Sequence, residues 1–257
     1  MAPMATPFLL VQLSDPHIGA EWAPGDPVAG LAAAVRSVLA LPWRPHAVLI
    51  SGDLADHGAD AEYEKVLELV APIDAPLYVL PGNHDDRRAL HRHFGVPGAS
   101  GEPVQYSADL GPLRLVVLDT TTPGEDEGAL DRDQLDWLHA ELSAAPLMPT
   151  LLAMHHPPLA TGIPAWDELG LAREARDALG EVVRRHPQVR RIAGGHVHRA
   201  IAAELAGRYV LSAPSTYVQV RLTFGSDEVE LANDPPGFVV HAVVDGDVIS
   251  HVQPVER

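Results

Sequence analysis

Apolar positions along the chain alternate between two rhythms. Residues 8–13 form a short apolar run that reads as a strand. Val28, Leu31, Val35 and Val38 then recur at helical spacing until Pro42 stops the helix. Residues 47–50 predict a second strand, Tyr63, Val66, Leu67 and Val70 a second helical face, residues 77–80 a third strand, and residues 87–94 a helix. This β-α-β-α-β order implies parallel strands joined by crossovers. Residues 104–110 and 113–118, separated by Gly111-Pro112, predict a hairpin. Leu135, Leu138 and Leu142 share a helical face, residues 150–154 read as a strand, and residues 171–183 as one long helix. From Arg191 onward the pattern is mostly strands, at 192–194, 200–205, 209–212, 237–244 and 248–252, so the tail is expected to form an antiparallel sheet beside the parallel one. No internal repeat or low-complexity linker interrupts the chain. Residues 1–257 therefore read as one α/β domain, with polar motifs spanning 15–198 and closing strands over 199–257.

Polar residues gather where the strands end. The first strand runs into "SDPHIG", bringing Asp15 and His17, and the second into "SGDLADHG", bringing Asp53 and Asp56. The third runs into "PGNHDD" with Asn83 and His84, the strand at Thr150 into "MHHPP" with His155 and His156, and the strand at Ile192 into "GGHVH" with His196 and His198. In open α/β sheets ligands collect beyond the carboxyl ends of the strands. An extended "HVH" also sets its two imidazoles on one side. Each motif alone has a structural explanation, such as an Asx turn, a helix cap or a proline stop. Together they deliver oxygen and imidazole donors to one edge. Asp15, His17, Asp53, Asn83, His155, His196 and His198 are too many for one four-coordinate zinc and suit two cations sharing a carboxylate. The mixed donors favour iron, manganese, zinc or cobalt over calcium or magnesium. Two-metal sites hold their ions roughly 3.5–4 Å apart and clamp both ends of a phosphoryl displacement.

The ordered set D-x-H, GDxxDxG, GNHD, H and GHxH resembles the calcineurin-like metallophosphoesterase superfamily. Within it the chain is most similar to the bacterial branch of class III cyclic-nucleotide phosphodiesterases and related glycerophosphodiesterases. The resemblance implies a four-layer α-β-β-α sandwich with mixed sheets. It implies that Asp15, His17 and His198 hold one ion, that Asn83, His155 and His196 hold the other, and that Asp53 bridges them. It also implies that His84 sits beside the phosphate, with Asp56 pairing with it, orienting its ring and favouring its protonated form. His84 then stabilises transition-state charge or protonates the leaving oxygen, while a hydroxide between the metals attacks phosphorus. Acid is expected to abolish activity by protonating that hydroxide and the histidine ligands.

Composition narrows the function. The formal charge of −17 disfavours polymeric nucleic acid and anionic membranes as partners. The chain has no cysteine, which excludes disulfides and thiolate metal sites. No apolar run approaches a membrane span, and the start, MAPMATPFLLVQLSD, lacks a basic leader, so a cytoplasmic protein is expected. The expected activity is hydrolysis of small phosphodiesters, 3′,5′-cyclic nucleotides first, with glycerophosphodiesters or a broader phosphoester range as the alternative. A binding scaffold that keeps the fold without catalysis is a third reading. A homodimer is compatible with the sequence, which shows no interface for it. His57 and His156 read as residues behind the ligands. Asp119 reads equally as a turn or a cavity-lining residue, and Arg87 as a surface ion pair or a phosphate contact. Residues 157–171 and the tail motifs "STYVQV" and "DPPGF" are where specificity is expected to lie.

Overall fold

The computed structural model describes residues 6–255. The first residues of the segment read as leaderless, and the last two of the expected domain, lie outside the described residues. In chain order the elements are β1 (Phe8–Leu13), α1 (Pro27–Leu39), β2 (Ala47–Ser51), α2 (Asp60–Val70), β3 (Leu77–Leu80), α3 (Arg87–Phe94), β4 (Tyr106–Asp109), β5 (Arg114–Val117), α4 (Arg132–Ala144), β6 (Thr150–Ala153), α5 (Pro164–Glu168), α6 (Arg173–Arg184), β7 (Val189–Gly194), β8 (Ile201–Leu205), β9 (Arg208–Ser212), β10 (Gln219–Val220), β11 (Leu231–Ala232), β12 (Gly237–Val244) and β13 (Asp247–Pro254).

Two large mixed sheets result, ordered β13-β12-β1-β2-β3 and β4-β5-β6-β7-β9-β8, with β10-β11 as a separate pair. β1, β2 and β3 are parallel, as the crossover pattern predicts, and so are β5, β6, β7 and β9. The second sheet alternates. Leu115, Val117, Leu151, Ala153 and Ala193 join the core shared with the first sheet. Val116, Leu118, Leu152, Met154 and Ile192 pack against Leu138 and Leu142 of α4 and Leu179 and Val183 of α6. α1 lays Leu31, Ala34, Val35 and Val38 on the first sheet. It starts at a textual cue for a helix: the Asp26 carboxylate accepts from Val28 N at 2.9 Å, with Pro27 in the first turn. The layers are therefore α-β-β-α.

Two sequence expectations are corrected here. The tail does not form its own antiparallel sheet. β12 pairs antiparallel with β1 and carries β13 outside it, whereas β9 pairs parallel with β7 and carries β8. The helix expected over 171–183 starts at Arg173 and is preceded by the separate short helix α5. Among the described residues, no helix is long and apolar enough to cross a membrane.

Candidate metal centre

The carboxyl ends of β1, β2, β3, β6 and β7 meet at one edge of the paired sheets, where the loops that follow them interlock. Asp15 N donates to Gly52 O at 3.1 Å and His17 N to Asp53 O at 2.9 Å. Gly195 N donates to His155 O at 2.9 Å. Asp15, His17, Asp53, His196 and His198 all take left-handed backbone angles, with φ of 50°, 45°, 51°, 64° and 45°. Non-glycine residues hold such angles only where their surroundings over-determine them, and these cluster at functional sites. Close packing tightens the site further. A Cβ on Gly82 would lie 2.1 Å from Asp53 Oδ1 and 2.3 Å from Asp53 N, which only glycine avoids.

The side chains then converge as acceptors. His17 Nδ1 donates to Asp56 Oδ1 at 2.9 Å, His198 Nδ1 to Val218 O at 3.1 Å, and His155 Nδ1 to Ser51 O at 2.9 Å. Each partner takes the Nδ1 hydrogen, so all three rings turn Nε2 inward. His17 Nε2 and His198 Nε2 lie 3.0 Å apart. Asp53 Oδ2 lies 3.3 Å from both His17 Nε2 and His155 Nε2. Asn83 Oδ1 is 3.1 Å from His155 Nε2, and its Nδ2 donates to Asp126 Oδ1 at 3.3 Å, which aims the amide oxygen at the site. His196 N donates to Asp15 Oδ1 at 2.9 Å, while His196 Nε2 and Asp15 Oδ2 are enclosed without a hydrogen-bond partner. Enclosed ligand atoms brought this close call for positive charge among them, which a cation supplies. Asp15, His17, Asp53 and His198 offer ligand atoms within 4.8 Å of one another. The donor set fits divalent transition-metal ions.

Charge states follow from burial and neighbours. Burial, with His17 adding, pushes His198 down to about 3, and burial with His156 and His155 holds His196 well below the ordinary histidine range. Both are therefore neutral, as ligands must be. Burial also opposes charge on His155, but adjacent Asp53 outweighs it and raises the imidazole to about 9. Burial likewise opposes ionisation of Asp53, and His155 and His17 reverse that, holding it well below the usual carboxylate range. In the protein without cations, a proton thus takes the place of positive charge between Asp53 and His155.

The neighbours of the donor set include contacts beyond the sequence expectation. The Asp56 carboxylate was expected to pair with His84. Its Oδ1 lies 3.6 Å from His84 Nδ1, an ion-pair distance, and also takes hydrogen bonds from His17 Nδ1 and Trp22 Nε1, each at 2.9 Å. His84 Nδ1 donates to the Asp56 backbone carbonyl at 2.9 Å, and His84 N donates to Asp53 Oδ1 at 3.0 Å. The reason is local. Asp56 N is tied to Ile18 O, which carries the side chain over the first loop and leaves the carbonyl toward His84. His156 lies behind the donors. Its Nδ1 meets Thr120 Oγ1 at 2.9 Å and its Nε2 donates to Asp126 O at 3.1 Å, so no lone pair faces the site. His57 is exposed and pairs with Glu62 at 2.8 Å. Asp119 is fully buried, bound to Arg87 Nε at 2.8 Å and to Val104 N and Thr121 N. Neither Asp119 nor Arg87 reaches the donors.

Sequence reasoning passed over Asp85, Asp126, Trp22 and Trp166. Asp85 accepts from Leu54 N, Ala55 N, Gly82 N and Tyr63 Oη, lacing the second and third loops together. Its signal was the doubled aspartate of "NHDD", just before the helix expected over 87–94, where a helix cap is the ordinary role. That role belongs to Asp86, which caps α3 at Ala89 N. Asp126 stands in the acidic stretch "GEDEG", which carries no mark beyond a solvated loop. The two indoles could have been found only as aromatic residues in the loops between motifs.

A family model described as calcineurin-like phosphoesterase matches residues 8–200. A probable glycerophosphodiester phosphodiesterase of Arcobacter nitrofigilis is 32% identical over 241 residues, 91% of this chain and 88% of that protein. A cAMP/cGMP dual specificity phosphodiesterase of Mycobacterium tuberculosis is 34% identical over 256 residues, 92% of this chain and 79% of that protein. Among solved structures, a dimetal phosphatase from Danio rerio superposes with a TM-score of 0.66 at 16% identity, covering 97% of this chain and 99% of its own. The yellow lupin purple acid phosphatase PPD1 gives 0.72 at 15%, covering 98% of this chain and 52% of its own. The two structures share the fold.

Proposed function

Because this chain belongs to the calcineurin-like phosphoesterase family and is a metal-dependent phosphodiester hydrolase, we propose that it binds two divalent cations and cleaves 3′,5′-cyclic nucleotides. Asp15, His17 and His198 would hold one cation, Asn83, His155 and His196 the other, and Asp53 both. The observation that carries this reading is the place of Asp53 Oδ2, 3.3 Å from an inward-facing Nε2 on either side. When bound, such cations supply Lewis acidity toward phosphoryl oxygens and lower the pKa of water, with iron, manganese, zinc and cobalt all suited to the donors.

The protein's own groups do the rest. His84 N holds the outer oxygen of Asp53, which keeps the inner one turned to the donors. With its Nδ1 committed to the Asp56 carbonyl, the His84 ring presents Nε2 to the cleft as the group that donates a proton to the leaving oxygen. Asp56 and Trp22 fix the ring plane of His17, and Asp126 fixes the amide of Asn83. The second reading, a glycerophosphodiester hydrolase, is favoured by the Arcobacter relative. A panel assay of manganese- and iron-loaded protein on cyclic AMP, cyclic GMP, a glycerophosphodiester and a chromogenic diester separates them. Higher kcat/KM on the cyclic nucleotides supports the proposal, and comparable efficiency on every diester overturns it.

A further inference from the structure

The two sides of the donor set are chemically unlike. On one side, a cleft of about 330 Å³ reaches Asn83 and His84 past His57, Asp86, Arg88 and Thr122 and contains no phenyl, phenol or indole ring. On the other, a cleft of about 160 Å³ has His17, Asp53, Asn83, His84, His196 and His198 at its base. Its walls are Trp22, Trp166, Leu169, Val220, Val229 and Leu231. Asp126 is the only acidic residue among these that belongs to neither the donor set nor its base. In a chain of net charge −17, an apolar wall directly over the donor set is a local departure that calls for an apolar occupant.

The indole of Trp166 is placed to meet a ring. Its centroid lies 5.1 Å from the His196 ring, edge-on at 87°, and 6.1 Å from the His198 ring at 29°. It rides on α5, which is braced: the Asp167 carboxylate accepts from Thr161 N at 2.6 Å, Thr161 Oγ1 at 2.8 Å and Gly162 N at 3.1 Å, and Ile163 is buried. The Trp166 side chain makes no hydrogen bond, so although its ring packs on those of His196 and His198, its removal takes no hydrogen bond from a donor, unlike Trp22, whose Nε1 supports Asp56. A held indole beside an aliphatic wall offers stacking and apolar burial, and gives a polyol nothing to hydrogen-bond.

We propose that Trp166, with Leu169, Val220 and Val229, forms a subsite for a planar aromatic group on the substrate's ester, selecting nucleotide over glycerol diesters. The inference rests on the proposed phosphodiesterase reading. Trp166→Ala and Trp166→Phe variants of the metal-loaded protein are compared with wild type, with thermal midpoints as a fold control. For cyclic AMP, Trp166→Ala raises KM by roughly 10-fold or more, the scale of one stacked base. kcat changes little, turnover of glycerophosphoethanolamine is unaffected, and Trp166→Phe recovers most of the loss. Calorimetry gives a readout apart from turnover: AMP binding weakens by a similar factor in Trp166→Ala, while glycerol 3-phosphate binding does not change. Equal losses on both kinds of ligand, or no loss on either, overturn the subsite. If wild type hydrolyses neither diester, the phosphodiesterase proposal fails, and the AMP and glycerol 3-phosphate comparison still decides the subsite.

Discussion

The Nδ1 hydrogen of His17 points at the Asp56 carboxylate, 2.9 Å away, and the same oxygen is held by Trp22 Nε1. Burial opposes ionisation of Asp56, but these two hydrogen bonds outweigh it and keep the carboxyl below its usual range, so it stays a full acceptor. Carboxylates in this position fix the ring and raise its basicity as a ligand, and removing them typically costs about 10–100-fold in metal affinity. Asp56→Asn is therefore expected to weaken metal binding by that factor, read by competition titration against a chelator. Unchanged affinity with lower turnover would place Asp56 with His84 instead.

His84 presents the reverse case. Its ring contacts no other donor at hydrogen-bond distance, and only its backbone N holds Asp53. His84→Ala keeps that backbone bond, so metal content should match wild type while kcat falls by about 10²–10⁴, the usual range for general acid catalysis. Metal analysis alongside steady-state kinetics checks this; a wild-type rate removes His84 from the chemistry.

Glycine at position 82 is required by contact rather than by dihedral angle. A Cβ there meets Asp53 N at 2.3 Å, and backbone cannot yield as a flexible side chain can. Gly82→Ala should destabilise by about 1–3 kcal/mol, as overpacking does, and should lower metal stoichiometry by displacing Asp53. Gly180, inside α6, has its nearest neighbour at 3.5 Å, so Gly180→Ala should be neutral or stabilising by about 0.5–1 kcal/mol. Urea denaturation of both variants tests the contrast.

Between the sheets, His241 is fully buried, with Nδ1 at 2.8 Å from Ser250 Oγ and Nε2 donating to Gln12 Oε1 at 3.0 Å. Burial, with Arg191 adding, pushes its imidazole down to about 3. From the ordinary value near 6.5 down to about 3, the unfolded chain binds a proton that the folded chain refuses. The contribution of His241 to stability is thus whole above about pH 6.5 and is lost as pH falls, by up to about 1.4 kcal/mol per unit. Replacing it in His241→Gln should flatten the fall of the urea midpoint between pH 6.5 and 4 relative to wild type. Parallel curves would contradict the assignment.

Much of the site could be read from the chain because its donors follow directly on apolar strands, where a polar pair is conspicuous: Asp15 and His17 after Leu13, His155 after Ala153, His196 after Ala193. What fixes those donors was less visible. Val218 O and Ser51 O, which take the Nδ1 hydrogens of His198 and His155, are backbone atoms and leave no trace in residue type. That Asp56 also binds His17 and Trp22 depended on which way one loop residue turns. The apolar pattern of residues 237–244 predicts a strand but not that it joins β1, because edge choice is made by packing between sheets. β10 and β11, two residues each, are too short for any periodicity.

The seven donors should act as one centre. Anomalous diffraction from crystals grown with manganese locates the bound ions directly. Two peaks should appear, both in contact with the Asp53 carboxylate, one shared with His17 and His198 and the other with Asn83 and His155. A single peak, or any arrangement in which Asp53 touches no ion, would contradict it.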